Sequence, residues 1–239
     1  MASATILPLS VESLGYRARE VAVLTELSFR VEAGSRTIVL GPNGAGKSVL
    51  LRLMHGLMAP TTGSVRWAVG QSDDVRKAQA MVFQRPVMFR TSVRDNVEFA
   101  LRVAGRESSA RDAATTALEQ VGLLHLAARP ARLCSGGEQQ RIALARAWAL
   151  KPEVLFLDEP TASLDPAATK AIEEVVSAMH RAGTTIIMTT HDLGQARRLA
   201  DRVLFLNHGR LVEETPAASF FPAPTSPDAA AFMRGELLW

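Results

Sequence analysis

The sequence is poor in cysteine, in tyrosine and in long apolar runs. A single cysteine, Cys134, stands among 239 residues. That excludes an internal disulfide framework and fits a reducing compartment. No stretch approaches the roughly 20 apolar residues that a membrane-crossing helix needs. The longest apolar runs, such as Val154–Leu157, are the length of a strand, so if the chain serves a membrane process other chains must cross the bilayer. Met1 to Leu14 hold no positively charged leader ahead of an apolar run, and no secretory signal is expected. Dense Lys/Arg runs are missing as well. The net charge is only +3 and the pI near 9.5 follows from a small basic excess, so charge gives no reason to expect nucleic acid as a partner.

What is present is apolar material in a regular arrangement. The hydrophobic fraction of 47% can build a sizeable core, which excludes a disordered chain, and the length suits one large α/β domain or two small ones. Val/Ile/Leu-rich runs at Thr37–Leu40, Ala80–Phe83, Val154–Leu157 and Thr185–Thr189 read as buried strands of a largely parallel sheet. Between them lie helical patterns. Lys47–Met58 carries Leu50, Leu53, Met54 and Leu57 on one face; Ala167–Arg181 carries Ile172, Val175, Val176 and Met179. Strands alternating with helices predict an α/β fold with right-handed crossovers. The first 35 residues read as short strands with turns. Arg85 to Leu150 reads as a helical insertion. Val203–Leu206 and Arg210–Glu213 flank Asn207-His208-Gly209, a hairpin turn, and Pro216 to Pro227 reads as a loose linker.

Two segments carry chemistry. Gly41-Pro42-Asn43-Gly44-Ala45-Gly46-Lys47-Ser48 fits G-x-x-x-x-G-K-[ST] between a strand and a helix. Glycines there let successive backbone N–H groups turn inward around a phosphate chain, and the helix N-terminus adds positive dipole. Lys47 is placed for the β- and γ-phosphates and Ser48 for Mg²⁺. Outside that role the segment is a Gly-rich strand-to-helix turn. Val154-Leu155-Phe156-Leu157-Asp158-Glu159 is an apolar strand ending in two carboxylates. Alone it reads as a strand that ends in solvated acids. With the phosphate loop upstream, Asp158 is expected to hold Mg²⁺ and Glu159 to polarise an attacking water.

Leu133-Cys134-Ser135-Gly136-Gly137-Glu138-Gln139-Gln140-Arg141 then resembles the signature motif of the ATP-binding-cassette (ABC) ATPases, usually Leu-Ser-Gly-Gly-Gln. Here Cys134 stands at its first position and Glu138 at its fifth. The resemblance covers nearly the whole chain. It implies a P-loop NTPase cassette with a mainly parallel core, an N-terminal antiparallel β subdomain and a helical subdomain. Residues 1–84 and 151–239 would form the nucleotide-binding core and 85–150 the helical part. Ser135, Gly136 and Gly137 would open a helix running through Ala149 and present its N–H groups to the ATP of a second copy. Gln84 resembles the residue that senses Mg²⁺ and water. His191 resembles the switch histidine on the γ-phosphate. Ser163-Leu164-Asp165 resembles the loop coupling two active sites, and Tyr16 is the candidate to stack on adenine. The implied partners are a second copy closing head-to-tail, membrane permease subunits reached through Pro86-Val87-Met88-Phe89, and, indirectly, an extracytoplasmic binding protein. The implied place is peripheral, on the cytoplasmic face of a bacterial membrane.

Two departures stand out. Val49 replaces the usual Thr of the nucleotide-binding set, losing a hydroxyl for the α-phosphate. Cys134 replaces a larger Leu. A soluble ATPase of this class acting on DNA would need a long coiled-coil insertion, but only 86 residues separate Ser48 from Ser135 and heptads are absent. Translation-type members carry two cassettes per chain. Gly41–Trp67, Gln79–Arg90, Met188–Ala196 and the ending Gly235-Glu236-Leu237-Leu238-Trp239 resemble the cassettes of tungstate importers. Phosphate is the rival cargo.

Overall fold

The computed structural model describes residues 5–70 and 72–236. Met1 to Ala4 of the stretch read for a leader, and Leu237 to Trp239 of the ending, lie outside them. The chain forms two compact units, one holding residues up to Arg76 and from Thr185 onward, the other Lys77–Thr184.

The first unit opens with β1 (Leu9–Ala18) and β2 (Val21–Val31), an antiparallel pair joined on its other side by β4 (Thr62–Trp67) in the order β2-β1-β4. These strands are longer than the sequence suggests. Bulges near Ser13 and Glu26, both at positive φ, break the apolar alternation without ending the pairing. Leu9, Val11, Leu14, Leu24, Leu27 and Val31 still fill one buried face. Between β2 and β4 come β3 (Arg36–Leu40) and α1 (Lys47–His55). The helix stops three residues short of the expected Met58. Gly56 adopts φ 84°, and the Gly56 and Leu57 N–H groups bond the carbonyls of Leu53 and Arg52, a glycine C-cap. Leu57 consequently leaves the apolar face and is exposed. One turn of helix, α2 (Asp73–Lys77), carries the chain onward.

The second unit pairs β5 (Gln79–Val82) in parallel with β6 (Val154–Asp158). Phe83, expected at the end of the first of these, lies beyond it and is exposed. Three helices follow β5: α3 (Val93–Val103), α4 (Ala110–Gln120) and α5 (Gly136–Ala149). They pack on Val97, Leu101, Ala114, Leu118, Ile142 and Leu144, all fully buried. After β6 comes α6 (Pro166–Arg181), with Asp165 as N-cap and Pro166 in the first turn.

Back in the first unit, β7 (Thr185–Thr190), α7 (Leu193–Leu199), β8 (Arg202–Asn207) and β9 (Arg210–Pro216) complete a sheet around β3. β3 lies parallel between β7 and β8, and β9 returns antiparallel on β8. The β8–β9 connection is a two-residue turn with His208 at φ 46° and Gly209 at φ 72°, as a primed hairpin requires.

The expected linker Pro216 to Pro227 is instead structured. It holds α8 (Ala217–Phe220), whose Phe220 is fully buried, and leads into α9 (Pro227–Met233). Phe220 and Phe232 pack on Phe205 with ring centroids 6.1 and 5.4 Å away. The Pro/Ala/Ser composition concealed these aromatic anchors.

Candidate functional site

In the first unit, Leu40 pairs with Thr190 on one side and Phe205 on the other. The segment Gly41–Gly46 therefore leaves the sheet at the C-terminal ends of parallel strands, where ligands bind in α/β sheets. Gly46, at φ 96°, is the N-cap of α1 and supplies no side-chain bond. The positive end of the α1 dipole therefore faces the loop, with no side-chain oxygen of the N-cap residue set against it. Two close approaches shape this loop. A Cβ at Gly41 would collide with the Leu206 carbonyl oxygen, and one at Gly46 would stand 2.6 Å from Leu24 Cδ2. Lys47 is 5% exposed. Its ammonium donates to the carbonyls of Gly41 at 2.8 Å and Pro42 at 3.0 Å, so the charge lies over the loop. Asn43 and Gly44 form the exposed tip, Ala45 is buried, and Ser48 and Val49 are half-buried in the first turn of α1.

Tyr16 is half-buried on β1, directly across from Leu24, the residue that touches Gly46. His191 follows Thr190 as Gly41 follows Leu40, so the two leave adjacent strands side by side; His191 is exposed. Asp192 fixes the bend after it: its N–H donates to Thr190 Oγ1 at 3.0 Å and its carboxylate caps α7.

In the second unit, Val82 pairs with Leu157. Gln84 and Glu159 each lie two residues past that pair, at the same ends of neighbouring strands. Gln84 is exposed. Asp158 is 3% exposed at the tip of β6. Glu159, half-buried, is held at φ 44°, a left-handed conformation that costs a non-glycine residue of order 1 kcal/mol or more. Its carbonyl accepts the Ala162 N–H. Asp165 uses its carboxylate to cap α6 through the Ala168 N–H at 2.8 Å.

Ser135 is the N-cap of α5 in a reciprocal capping box. Its N–H donates to Glu138 Oε2 at 2.6 Å, and the Glu138 N–H donates to Ser135 Oγ at 3.3 Å. The Ser135 backbone bond, ahead of the Ser135 hydroxyl and the charges of Arg129 and Arg141, holds the Glu138 carboxyl below the usual range against the opposing effect of burial. Burial first, and then the Glu138 charge, push the Cys134 thiol up. Gly137 has a packing role that the motif does not reveal: a Cβ there would stand 2.8 Å from Ala168 Cβ on α6. Gly136 is exposed at the helix start.

Sequence reasoning also missed the side chains that fasten the loop after β5. Gln140, 2% exposed, donates to the Phe83 carbonyl at 3.2 Å. Arg146 donates to that of Val87 at 2.9 Å and Arg132 to that of Met88 at 3.1 Å. Fully buried Asn96 accepts the Phe89 N–H at 2.9 Å. Gln140 stands five residues after Ser135, but nothing in its neighbourhood marks a buried amide aimed at another loop.

A phosphate loop built on β3 and α1, an acidic strand end and a capped glycine-rich helix start define a P-loop nucleoside triphosphatase. Comparison with known proteins narrows this class. The family model described as ABC transporter matches residues 24–162. The phosphate import ATP-binding protein PstB 2 of Natronomonas pharaonis is 36% identical, over 97% of this chain and 88% of that protein. The tungstate uptake system ATP-binding protein TupC of Peptoclostridium acidaminophilum is 38% identical, over 80% and 90%. The solved structure of cbiO1 from Clostridium perfringens, part of the ABC transporter complex cbiONQ, superposes with a TM-score of 0.81 at 30% identity, covering 90% of each chain. The chain belongs to the ABC transporter family, as an ATP-binding and ATP-hydrolysing subunit of the importer type. Among the described residues no helix is long and apolar enough to cross a membrane.

Proposed function

We propose that this ATPase drives import of tungstate or a related oxyanion such as molybdate, working as a homodimer on membrane permease subunits fed by an extracytoplasmic binding protein. The observation that carries the cargo is likeness to TupC, at 38% identity, together with the stretches Gly41–Trp67, Gln79–Arg90 and Met188–Ala196. Identity of 36% to a phosphate subunit keeps phosphate as the second reading. The cassette does not contact the cargo. Discrimination rests in the binding protein, where tungstate, fully deprotonated near neutral pH, asks for donors only. Phosphate still carries a proton and needs an acceptor.

In this reading Gly41, Pro42, Asn43, Gly44, Ala45, Gly46, Lys47, Ser48 and Val49 receive the triphosphate, and Tyr16 stacks on adenine. Ser48, Gln84 and Asp158 offer the hard oxygen donors that suit Mg²⁺, which when bound neutralises phosphate charge. Glu159 polarises the attacking water, helped by His191 and Gln84. Ser135, Gly136 and Gly137 face the ATP of the second copy, and Asp165 lies on the loop between the two sites. The permease docks on exposed Val87 and Phe89; Phe89 lies 4.4 Å, centroid to centroid, from exposed Phe99, an apolar patch of the kind that marks interaction surfaces. The test is to delete the gene and measure uptake of tungsten, molybdenum and phosphate at sub-micromolar supply. Lost tungsten uptake with normal phosphate uptake supports the reading. Normal tungsten uptake with another solute failing removes the cargo and leaves the ATPase.

A further inference from the structure

The phosphate loop rests on the β8–β9 hairpin, and the hairpin is held in turn by the C-terminal helix. Leu206 presses its carbonyl against Gly41 so closely that no Cβ fits. The next residue, Asn207, is 5% exposed and donates from Nδ2 to Asp228 Oδ2 at 2.9 Å. Asp228 lies in the first turn of α9, where a carboxylate is favoured by the helix dipole. Past the turn, the Gly209 carbonyl accepts the Thr25 N–H at 2.9 Å, next to Leu24, which touches Gly46. One end of the loop is therefore seated on hairpin backbone, and the other on the Leu24 side chain of a strand that the hairpin holds at the next residue.

Two further anchors hold α9 on that hairpin. Buried Glu213 of β9 accepts the Thr225 N–H at 3.0 Å and the Ser226 N–H at 2.8 Å. Phe232 packs on the Phe205 ring. Phe205 is the residue paired with Leu40, one step before the loop begins.

We infer that Asp228 is a positioning residue for nucleotide binding: through Asn207 it fixes the strand end against which Gly41 is seated, so that α9 preorganises the phosphate loop. The inference rests on the reading of Gly41–Ser48 as the nucleotide cradle. A cradle of backbone N–H groups binds best when its geometry is set before the ligand arrives. A strand end released from α9 has to be ordered at the expense of affinity.

The experiment uses the full chain and equilibrium binding of a fluorescent ATP analogue with Mg²⁺, alongside thermal unfolding and steady-state hydrolysis. Asp228→Ala should raise the Kd three- to tenfold, raising KM in proportion while kcat stays within twofold. Asp228→Asn, which keeps an acceptor oxygen, should remain within twofold of the parent in Kd. Asn207→Ala should match Asp228→Ala, and the double variant should be no weaker than either, since one bond is removed in all three. A lowered Tm with unchanged Kd in Asp228→Ala, or additive effects in the double variant, overturns the inference. Lys47→Ala separates the two layers. If it loses binding while Asp228→Ala does not change it, the cradle stands and the role of α9 falls. If Lys47→Ala binds normally, the cradle falls and the inference with it.

Discussion

Glu138→Gln puts the family's usual residue into the signature segment and isolates the contribution of one charge. Glutamine keeps an oxygen to accept the Ser135 N–H, so the capping box survives in outline. What disappears is the negative charge at the first turn of α5, now 2.6 Å from a backbone donor and within the field of Arg129 and Arg141. A charge at a helix N-terminus is worth about 0.3–1 kcal/mol, screened where solvent reaches it, and Glu138 is only half-buried. For a chain of this length that is a drop in Tm of roughly 1–4 °C. The pH dependence follows from the direction of the shift. The folded carboxyl titrates below its unfolded value of about 4.3. Its stabilisation is complete above that value and is lost as pH falls through the folded one. Urea unfolding of both proteins at pH 7 and again below pH 4 should show a gap that closes on acidification. An equal gap at both pH values, or a more stable variant at pH 7, would refute the assignment. The Cys134 thiol gives a second readout. The Glu138 charge holds its pKa up, after burial, so the variant should react modestly faster with a disulfide reagent near pH 8.

Glu159→Gln should abolish multiple-turnover ATP hydrolysis while leaving ATP binding intact, and an ATP-bound dimer should accumulate on size-exclusion chromatography; near-parental turnover removes Glu159 from the mechanism. Val49→Thr, in the first turn of α1, should tighten ATP binding by no more than ~1–3 kcal/mol, the range for one hydrogen bond to a charged group. Unchanged affinity in a titration would mean that the α-phosphate is satisfied by other donors.

The sequence was most legible where one local rule decides the structure. The glycine loop after Thr37–Leu40 and the His208-Gly209 turn require positive φ that few residues permit, the run Val154–Leu157 has the unbroken apolar character of a buried strand, and all three lie where expected. Legibility failed where tertiary contacts overrode composition. Pro216 to Pro227 has the residues of a linker, yet Phe220 on one side and Glu213 beneath it fix the chain. Leu57 has the spacing of a core residue, but Gly56 turns the helix before it can be used. The opening strands looked short because bulges at Ser13 and Glu26 interrupt a two-residue period that the pairing itself survives. For the candidate site, the sequence suggests which residues to look at and says nothing of what supports them. Glu159 gives no hint of its left-handed backbone, and Gly137 gives none of its contact with Ala168.

The loop after β5 shows why apolar residues can stand outside without being errors of packing. Its backbone carbonyls at Phe83, Val87 and Met88 are taken by Gln140, Arg146 and Arg132, and Phe89 is held through Asn96. With those groups drawn inward, only Met88 can bury its side chain; Val87, 72% exposed, and Phe89 face solvent. Two of the four anchors, Gln140 and Arg146, sit on α5, the helix that Ser135 opens. A displacement of α5 at its Ser135 end therefore cannot leave the Phe83 carbonyl, and Gln84 next to it, unmoved without breaking a buried amide's bond. An orphaned buried group of that kind costs about 1–3 kcal/mol. Within this unit the helix that Ser135 opens, the backbone beside Gln84 and the exposed Val87 are thus linked by hydrogen bonds from α5, an arrangement consistent with the proposed docking of a partner on Val87 and Phe89.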